Sequence, residues 1–227
     1  NPIPGSTPEV ALERALKILR LFKVVTVNSK ILHNQLSNFL PKLVYCPNGV
    51  EIKQFYQFRK KKFDPKKIIF GWVGKKRGPK NYKLLSQIKT LMPSNYFEFK
   101  EVLVDKNLKY IPKSQKQMLN FYNSIDFYLC VSLNEGTPNP ALEAAACGVP
   151  IISTKVGNMP EIIKDKYNGY FIDPNLESIV KTLQQLRNTS IEEYNVMSNL
   201  ISATIQDKWS WDKQIINFEH SYDLLMK

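Results

Sequence analysis

Short apolar runs alternate with amphipathic stretches along most of this chain. The apolar runs are short enough for strands, and the stretches between them carry apolar residues at helical spacing. Regular alternation of this kind is typical of parallel sheets with helices on both faces. We therefore predict an α/β protein with a Rossmann-like, doubly wound parallel sheet. Strands are expected at residues 24–27, 42–46, 67–73, 97–104, 126–131, 149–153 and 170–172.

Helical spacing is clearest in the second half of the chain. Residues 114–124 place Met118, Leu119 and Tyr122 on one side of a helix, which predicts that they face the core. Three further helices are expected at residues 176–187, 191–206 and 211–225. The aromatic residues of this tail are expected to form a core stripe, comprising Trp209, Trp211, Phe218 and Tyr222.

Composition fits a globular protein of one or two domains. The chain has 227 residues, of which 43% are hydrophobic, so a substantial core can form. No apolar run approaches the roughly 20 residues of a spanning helix, and no leader opens the chain. Cys46, Cys130 and Cys147 lack C-x-x-C spacing, which favours buried reduced thiols over a disulfide or a zinc site. These features predict a soluble, cytoplasmic protein.

The net charge of +12 is concentrated in one segment. Residues 56–80 hold ten Lys and Arg residues against a single acid, Asp64. A solvated surface, an anion site, or a face for anionic membranes or nucleic acid would each explain such a segment. For residues 59–62 we favour a solvated linker, with peripheral contact to an anionic membrane as the alternative. Nucleic acid is not an expected partner.

Two carboxylates, Glu135 and Glu143, flank a turn and a helix start. Proline is tolerated in the first turn of a helix and asparagine is a good cap, so a helix is expected to begin near Asn139. The free N–H groups and positive dipole of that helix end suit a phosphate. Glu143 could accept hydrogen bonds from both hydroxyls of a ribose, and Glu135 would lie near an attached sugar. The alternative is that both glutamates are ordinary solvated acids.

A second strand-to-helix turn carries several cations. The buried strand that ends near Val73 is followed by Gly74, Lys75 and a helix start near Pro79 or Lys80. Cations at such a turn can neutralise a diphosphate, and a hydrogen bond to a charged group contributes roughly 1.5–3 kcal/mol. We expect this role for Lys80 and Lys75. Lys76 and Arg77 are expected to be solvated.

Residues 134–163 resemble family-4 retaining glycosyltransferases of the GT-B fold. They contain the E-x7-E pair, the E-G-x-P-N turn and the A-x-G-x-P-x-I-x-[ST] strand, and the match continues to Gly157, Pro160 and Glu161. The resemblance implies that Glu143 binds the donor ribose and that the Leu142 N–H group meets phosphate. It implies base contacts near Asp105 and Ile111, and it places Lys75 and Lys80 where the family has an arginine and a lysine. The residues implied to contact the transferred sugar are Glu135, Gly136, Thr137, Pro138 and Asn139.

The activity implied is transfer of a hexose from a UDP- or GDP-linked sugar, with retention of anomeric configuration. Glu135 and Lys80 are the expected catalytic residues. No cofactor is implied, and because no D-x-D sequence occurs, we expect no metal requirement. Two alternatives stay open. One is an epimerase or phosphorylase on the same scaffold, and the other is a noncatalytic basic module that binds anionic lipid or nucleic acid.

The resemblance also predicts how the chain divides. Residues 1–50 would be the end of an acceptor-side domain and a hinge, because Pro47-Asn48-Gly49-Val50 resembles the family's interdomain hinge. Residues 51–208 would form the C-terminal nucleotide-sugar-binding domain, and residues 209–227 a closing helix that crosses back. On this division the first domain is largely missing, so the acceptor cannot be predicted. This part of the protein is expected to bind donor without completing transfer.

Overall fold

The computed structural model describes residues 7–58, 62–76, 78–104 and 113–226. Within them, all seven predicted strands are present and form two parallel sheets. The smaller sheet pairs β1 (Val25–Val27) with β2 (Leu43–Tyr45). The larger sheet comprises β3 (Ile68–Gly74), β4 (Phe97–Leu103), β5 (Phe127–Cys130), β6 (Ile151–Ser153) and β7 (Gly169–Phe171).

Helices connect the strands, and several begin at residues suited to capping. Ser114 and Ser190 each form a reciprocal capping box, with Gln117 and Glu193 respectively. Short 3-10 turns occur at Gly78–Lys80 and Leu186–Asn188. The helices are α1 (Pro8–Leu19), α2 (Lys30–Leu36), α3 (Tyr82–Leu91), α4 (Gln115–Asn123), α5 (Asn139–Ala146), α6 (Met159–Ile162), α7 (Leu176–Gln185), α8 (Ile191–Lys208) and α9 (Trp211–Met226).

The strand order of the larger sheet determines where a ligand would bind. The order is β4-β3-β5-β6-β7, with every pair parallel. The chain therefore moves outward from β3 to β4, then returns to the other side of β3 and continues in the opposite direction. Beyond the carboxyl ends of β3 and β5 this reversal leaves a crevice, the usual ligand position in doubly wound sheets.

Hydrophobic cores cover both faces of the larger sheet. In β5, Phe127 and Leu129 face one core, whereas Tyr128 and Cys130 face the other, as the two-residue repeat of a strand requires. Helices α3 and α7 pack on the first face, and α4 and α5 on the second. The predicted doubly wound sheet is confirmed.

The smaller sheet, with α1 and α2, has its own core of Leu16, Leu36 and Leu40. Val50 joins it to the tail: the Val50 N–H donates to the Trp209 carbonyl at 2.9 Å, and the Trp211 N–H donates to the Val50 carbonyl at 3.2 Å. Helix α9 then packs on β2.

The tail departs from its predicted core stripe. Trp209 is buried, but Trp211 and Tyr222 are 39% and 69% exposed, so the prediction is wrong for these two. The reason is that α9 leaves the larger sheet and packs by one side on the smaller one. All three cysteines are buried and free, as predicted. Among the described residues, no helix combines the length and apolar character needed to cross a membrane.

Candidate functional site

The two loops that flank the crevice meet through an ion pair. The Lys80 Nζ atom, in the loop after β3, lies 2.7 Å from the Glu135 Oε1 atom, in the loop after β5. The Leu133 N–H donates to the Pro79 carbonyl at 2.8 Å, which ties the same two loops together. The Ser132 hydroxyl donates to Glu135 Oε1 at 2.8 Å. The sheet topology thus brings together the two residues expected from sequence to be catalytic.

Gly74 leaves room for the Lys80 side chain at the end of β3. A Cβ atom on Gly74 would lie 3.0 Å from Lys80 Cγ and 2.7 Å from the Trp72 ring. The expected helix start near Lys80 is a 3-10 turn, after which Asn81 takes a left-handed conformation (φ 53°) and α3 begins at Tyr82.

The other cations of this turn are arranged differently. Lys75 is exposed. The Lys76 ammonium lies 5.4 Å from the centre of the Tyr82 ring, a cation–π contact. Arg77 is outside the described residues. Lys80 is therefore the lysine of this segment that the fold holds against a carboxylate.

The turn at residues 136–139, which the sequence resemblance predicts to contact the donor sugar and which we therefore call the donor turn, packs against Gly157 and Asn158. Gly157 has φ +53°, and a Cβ atom there would lie 2.1 Å from the Gly136 carbonyl oxygen. The Asn158 N–H donates to that same oxygen at 3.1 Å, and the fully buried Asn158 amide donates to Thr137 Oγ1 at 3.2 Å. Because only glycine allows this approach, Gly157 fixes the path of the donor turn.

Helix α5 begins at Asn139, as predicted. The cap position is occupied by Pro138, and no side chain caps the helix, so the expected asparagine cap is wrong. Asn139 instead accepts a hydrogen bond from the Asn48 amide at 2.9 Å. The Leu142 N–H donates to the Pro138 carbonyl at a long 3.3 Å. A phosphate at Leu142 would share this proton, and that contact stays a prediction.

Glu143 is held by a tyrosine from the neighbouring helix. The Tyr122 hydroxyl on α4 donates to Glu143 Oε2 at 2.6 Å. Burial raises the pKa of Glu143, and the Tyr122 hydrogen bond opposes that increase. Tyr128 on β5 is fully buried, and burial raises its pKa well above the ordinary value. The negative charges of Cys130, Glu135 and Glu143 raise this pKa further. Both carboxylates of the E-x7-E pair therefore lie near the carboxyl end of β5.

The smaller lobe, residues 7–50, reaches the donor turn directly. The Thr137 hydroxyl donates to the Asn28 carbonyl at 3.1 Å. A Cβ atom on Gly136 would lie 2.4 Å from the Asn28 side-chain amide. Asn28 follows β1, so its position next to the turn depends on how the two sheets dock. No local sequence pattern could have shown this contact.

Glu161 forms a second contact between the lobes. Its carboxylate accepts hydrogen bonds from the Lys30 N–H at 2.9 Å and from the Tyr45 hydroxyl at 2.6 Å. The Lys30 ammonium lies 3.9 Å from the same carboxylate. The sequence shows Glu161 only as the end of the family-like stretch, without a partner.

The described residues therefore gather most of the candidate site at one crevice. Asp105 and Ile111, expected near the base, lie outside the part of the chain that the structure describes. Within that part, no group of three or more His, Cys, Asp or Glu residues is arranged to hold a metal ion. The candidate residues placed around the carboxyl ends of β3 and β5 are Gly74, Lys75, Lys80, Glu135, Gly136, Thr137, Pro138, Asn139, Leu142 and Glu143.

This parallel sheet of five strands with helices on both faces is the Rossmann-like fold of a GT-B glycosyltransferase domain. The chain belongs to the family described as Glycosyl transferases group 1, whose sequence profile matches residues 52–202. An uncharacterized glycosyltransferase of Methanocaldococcus jannaschii is 26% identical over 94% of this chain and 65% of its own length. The chain thus spans less than two thirds of that relative.

Solved structures show the same fold at low sequence identity. Sucrose-phosphate synthase from Thermosynechococcus elongatus has a TM-score of 0.78 at 16% identity, covering 97% of this chain and 63% of that one. Anabaena HepE, solved in complex with UDP and glucose, has a TM-score of 0.73 at 12% identity, covering 99% and 69%. The GT-B fold predicted from the sequence is confirmed.

Proposed function

We propose that the protein transfers a hexose from a nucleoside-diphosphate sugar to an acceptor, with retention of anomeric configuration and without a metal ion. The observation that carries this proposal is the Lys80–Glu135 pair at the crevice, with the donor turn and Glu143 around it. Lys80 and the start of α5 would meet the phosphates. Glu135 would contact the sugar and Glu143 the ribose. The acceptor is left unassigned.

Lys80 is proposed to neutralise the charge that develops on the leaving diphosphate. Its side chain is only 21% exposed, so its charge is less screened than that of a fully solvated lysine. When a diphosphate enters, the ammonium would be shared between Glu135 and phosphate oxygens. The N-terminal end of α5 adds dipole stabilisation of about 0.3–1 kcal/mol, more where it is partly buried. Both effects act where negative charge grows during transfer.

Glu135 and the donor turn are proposed to hold the transferred sugar, and Glu143 the ribose. Glu135 is positioned by Ser132 and Lys80, and the turn by Gly157 and Asn158. Support for a nucleotide-sugar donor also comes from Anabaena HepE, whose structure contains UDP and glucose. Buried free cysteines favour a cytoplasmic location. Lys62, which is exposed and belongs to the basic segment of the sequence, would allow peripheral contact with an anionic membrane.

A panel of UDP-, GDP- and ADP-linked sugars tests the proposal by thermal stabilisation and calorimetry. One of them should raise the unfolding midpoint, because a ligand that binds only the folded state stabilises it. Glu143→Ala should abolish or greatly weaken that binding. The matched control is Glu219→Ala, on an exposed face of α9, which should leave it unchanged. Unchanged affinity in Glu143→Ala would refute the assignment of the site.

Two added conditions separate the proposal from its alternatives. A noncatalytic basic module would bind anions with steep salt dependence and without regard to Glu143. Donor binding should instead persist at moderate salt and in EDTA, since lysine and backbone groups are proposed to meet the diphosphate. A requirement for Mg²⁺ or Mn²⁺ would overturn metal independence alone. Epimerisation or phosphorolysis of the bound sugar, rather than transfer by the whole protein, would overturn the reaction class.

A further inference from the structure

We propose that Tyr122 is a positioning residue for Glu143 and thereby sets how strongly the site recognises the ribose hydroxyls of the donor. This inference rests on the proposed function and extends it to a residue outside the E-x7-E pair. Its basis is the 2.6 Å hydrogen bond from the Tyr122 hydroxyl to Glu143 Oε2. The two residues come from adjacent helices, α4 and α5, that pack on the same face of the sheet.

The tyrosine is itself fixed in place. Tyr122 is fully buried, and its ring makes edge contacts with Phe55 at 5.9 Å, Phe121 at 5.3 Å and Tyr128 at 6.4 Å between centroids. Aromatic rings surrounded in this way cannot change rotamer without displacing their neighbours. The hydroxyl therefore stays at one position, and the carboxylate oxygen that it contacts is held there as well.

The carboxylate is anchored on one side and open on the other. Oε2 accepts the Tyr122 hydrogen bond, whereas Oε1 accepts none from the residues that the structure describes. The Glu143 side chain is only partly buried, so a ligand can reach it. Oε1 and the second lone pair of Oε2 together form a fixed two-point acceptor, which is what two vicinal hydroxyls need. Without Tyr122 the same carboxylate could rotate, and each hydroxyl contact would require it to be ordered again.

A merely structural tyrosine and a positioning tyrosine differ in one measurable ratio. The ratio is the dissociation constant of a 2′-deoxynucleoside diphosphate divided by that of its ribonucleoside counterpart. Loss of overall stability weakens both ligands alike and leaves the ratio unchanged. Loss of a positioned ribose acceptor weakens two hydroxyl contacts of the ribonucleotide but only the 3′ contact of the deoxynucleotide, so the ratio falls.

Calorimetry with UDP and 2′-deoxy-UDP, or with the GDP or ADP pair if that base binds more tightly, measures this ratio. The wild type should prefer the ribonucleotide about 10-fold or more, given the strength of hydrogen bonds to charged groups. Tyr122→Phe keeps the ring and should reduce the preference at least threefold, towards that of Glu143→Gln. The double variant should lose little more than Glu143→Gln alone, since Tyr122 is proposed to act through Glu143.

Two further variants keep the test decisive. Tyr194→Phe is the matched control, because Tyr194 is equally buried and donates to the Asp126 carbonyl at 3.0 Å. Asp126 directly precedes β5, whereas the E-x7-E pair follows it. It should keep the wild-type ratio. Glu143→Asp keeps the charge but withdraws the carboxylate from Tyr122, and should reduce the ratio even if Tyr122→Phe fails to fold.

Each contrary outcome refutes a different statement. A wild-type ratio in Tyr122→Phe or in Glu143→Asp would overturn the positioning role. An equal loss in Tyr194→Phe would also overturn it, since the effect would then follow stability. Unchanged ratios in every Glu143 variant would show that Glu143 is not the ribose acceptor. If the wild type bound none of the nucleotides, the proposed function would fail first and this inference with it.

Discussion

Replacing Gly157 with alanine should destabilise the protein and distort the donor turn together. Gly157 has φ +53°, a left-handed conformation that costs other residues about 1–2 kcal/mol. The new Cβ atom would also lie 2.1 Å from the Gly136 carbonyl oxygen and 3.1 Å from the Glu135 carbonyl oxygen. These are backbone atoms, so relief requires the turn itself to move. Overpacking of this kind costs about 1–3 kcal/mol more.

Gly78→Ala separates the two contributions. Gly78 has a similar left-handed φ of +77°, but beyond its two chain neighbours a Cβ atom there would have no heavy atom of the described residues within 4 Å. The control therefore carries only the conformational cost of about 1–2 kcal/mol, against about 2–5 kcal/mol for Gly157→Ala. For a protein of this size, 1 kcal/mol lowers the unfolding midpoint by about 2–4 °C.

Thermal unfolding followed by circular dichroism, with calorimetric titration of a nucleoside diphosphate and its sugar, measures both effects. Gly157→Ala should unfold at a lower temperature than Gly78→Ala. It should also weaken binding of the nucleotide sugar more than binding of the nucleotide, because the displaced turn is the proposed sugar contact. Equal midpoints for the two variants would refute the close approach of Gly157 to Gly136.

Three other perturbations follow from the same site. Lys80→Met keeps an apolar side chain next to Gly74 but removes the charge. Calorimetry should show nucleoside-diphosphate binding weakened about 10- to 150-fold. Lys75→Met, at an exposed lysine, should weaken binding less. Burial raises the pKa of Glu143, so its stabilising contribution is present at low pH and is lost as pH rises through the raised value. Glu143→Gln should therefore raise the unfolding midpoint at pH 7 and raise it less at pH 4, and a lowered midpoint at pH 7 would contradict this. Glu161→Ala should lower the free energy of unfolding by about 1.5–3 kcal/mol, because the Lys30 N–H and Tyr45 hydroxyl lose their acceptor. Denaturant titration measures this loss. Glu177→Ala, at an exposed glutamate, should change the free energy of unfolding little.

The sequence could predict the strands and the crevice because both depend on short-range patterns. Buried strands are continuous apolar runs, and β5 is buried at all four residues. Lys80 and Glu135 each follow such a run, so both could be placed at the carboxyl edge of a parallel sheet. The tail could not be predicted as well, since the burial of Trp211 and Tyr222 depends on the direction in which α9 leaves the sheet.

The missed residues share a different physical cause. Asn28, Asn158 and Glu161 each act through one or two hydrogen bonds to residues distant in sequence, and such bonds leave no periodic pattern. Tyr122 shows the limit most clearly. Helical spacing correctly assigned its ring to the core, but spacing does not describe where a hydroxyl points, and that hydroxyl meets Glu143.

The proposed donor site has two halves, which differ in the lobe that supplies their supporting contacts. The proposed nucleotide half, with Lys80, Tyr122 and Glu143, is positioned by contacts between loops and helices of the larger sheet. The sugar half is the donor turn, which Gly157 and Asn158 hold from the larger sheet and Asn28 from the smaller lobe. Because Asn28 contacts the turn directly, a shift of the smaller lobe, which Glu161 holds through α2 and β2, would act on the turn. Lobe movement should thus alter the proposed sugar contacts more than the proposed nucleotide contacts.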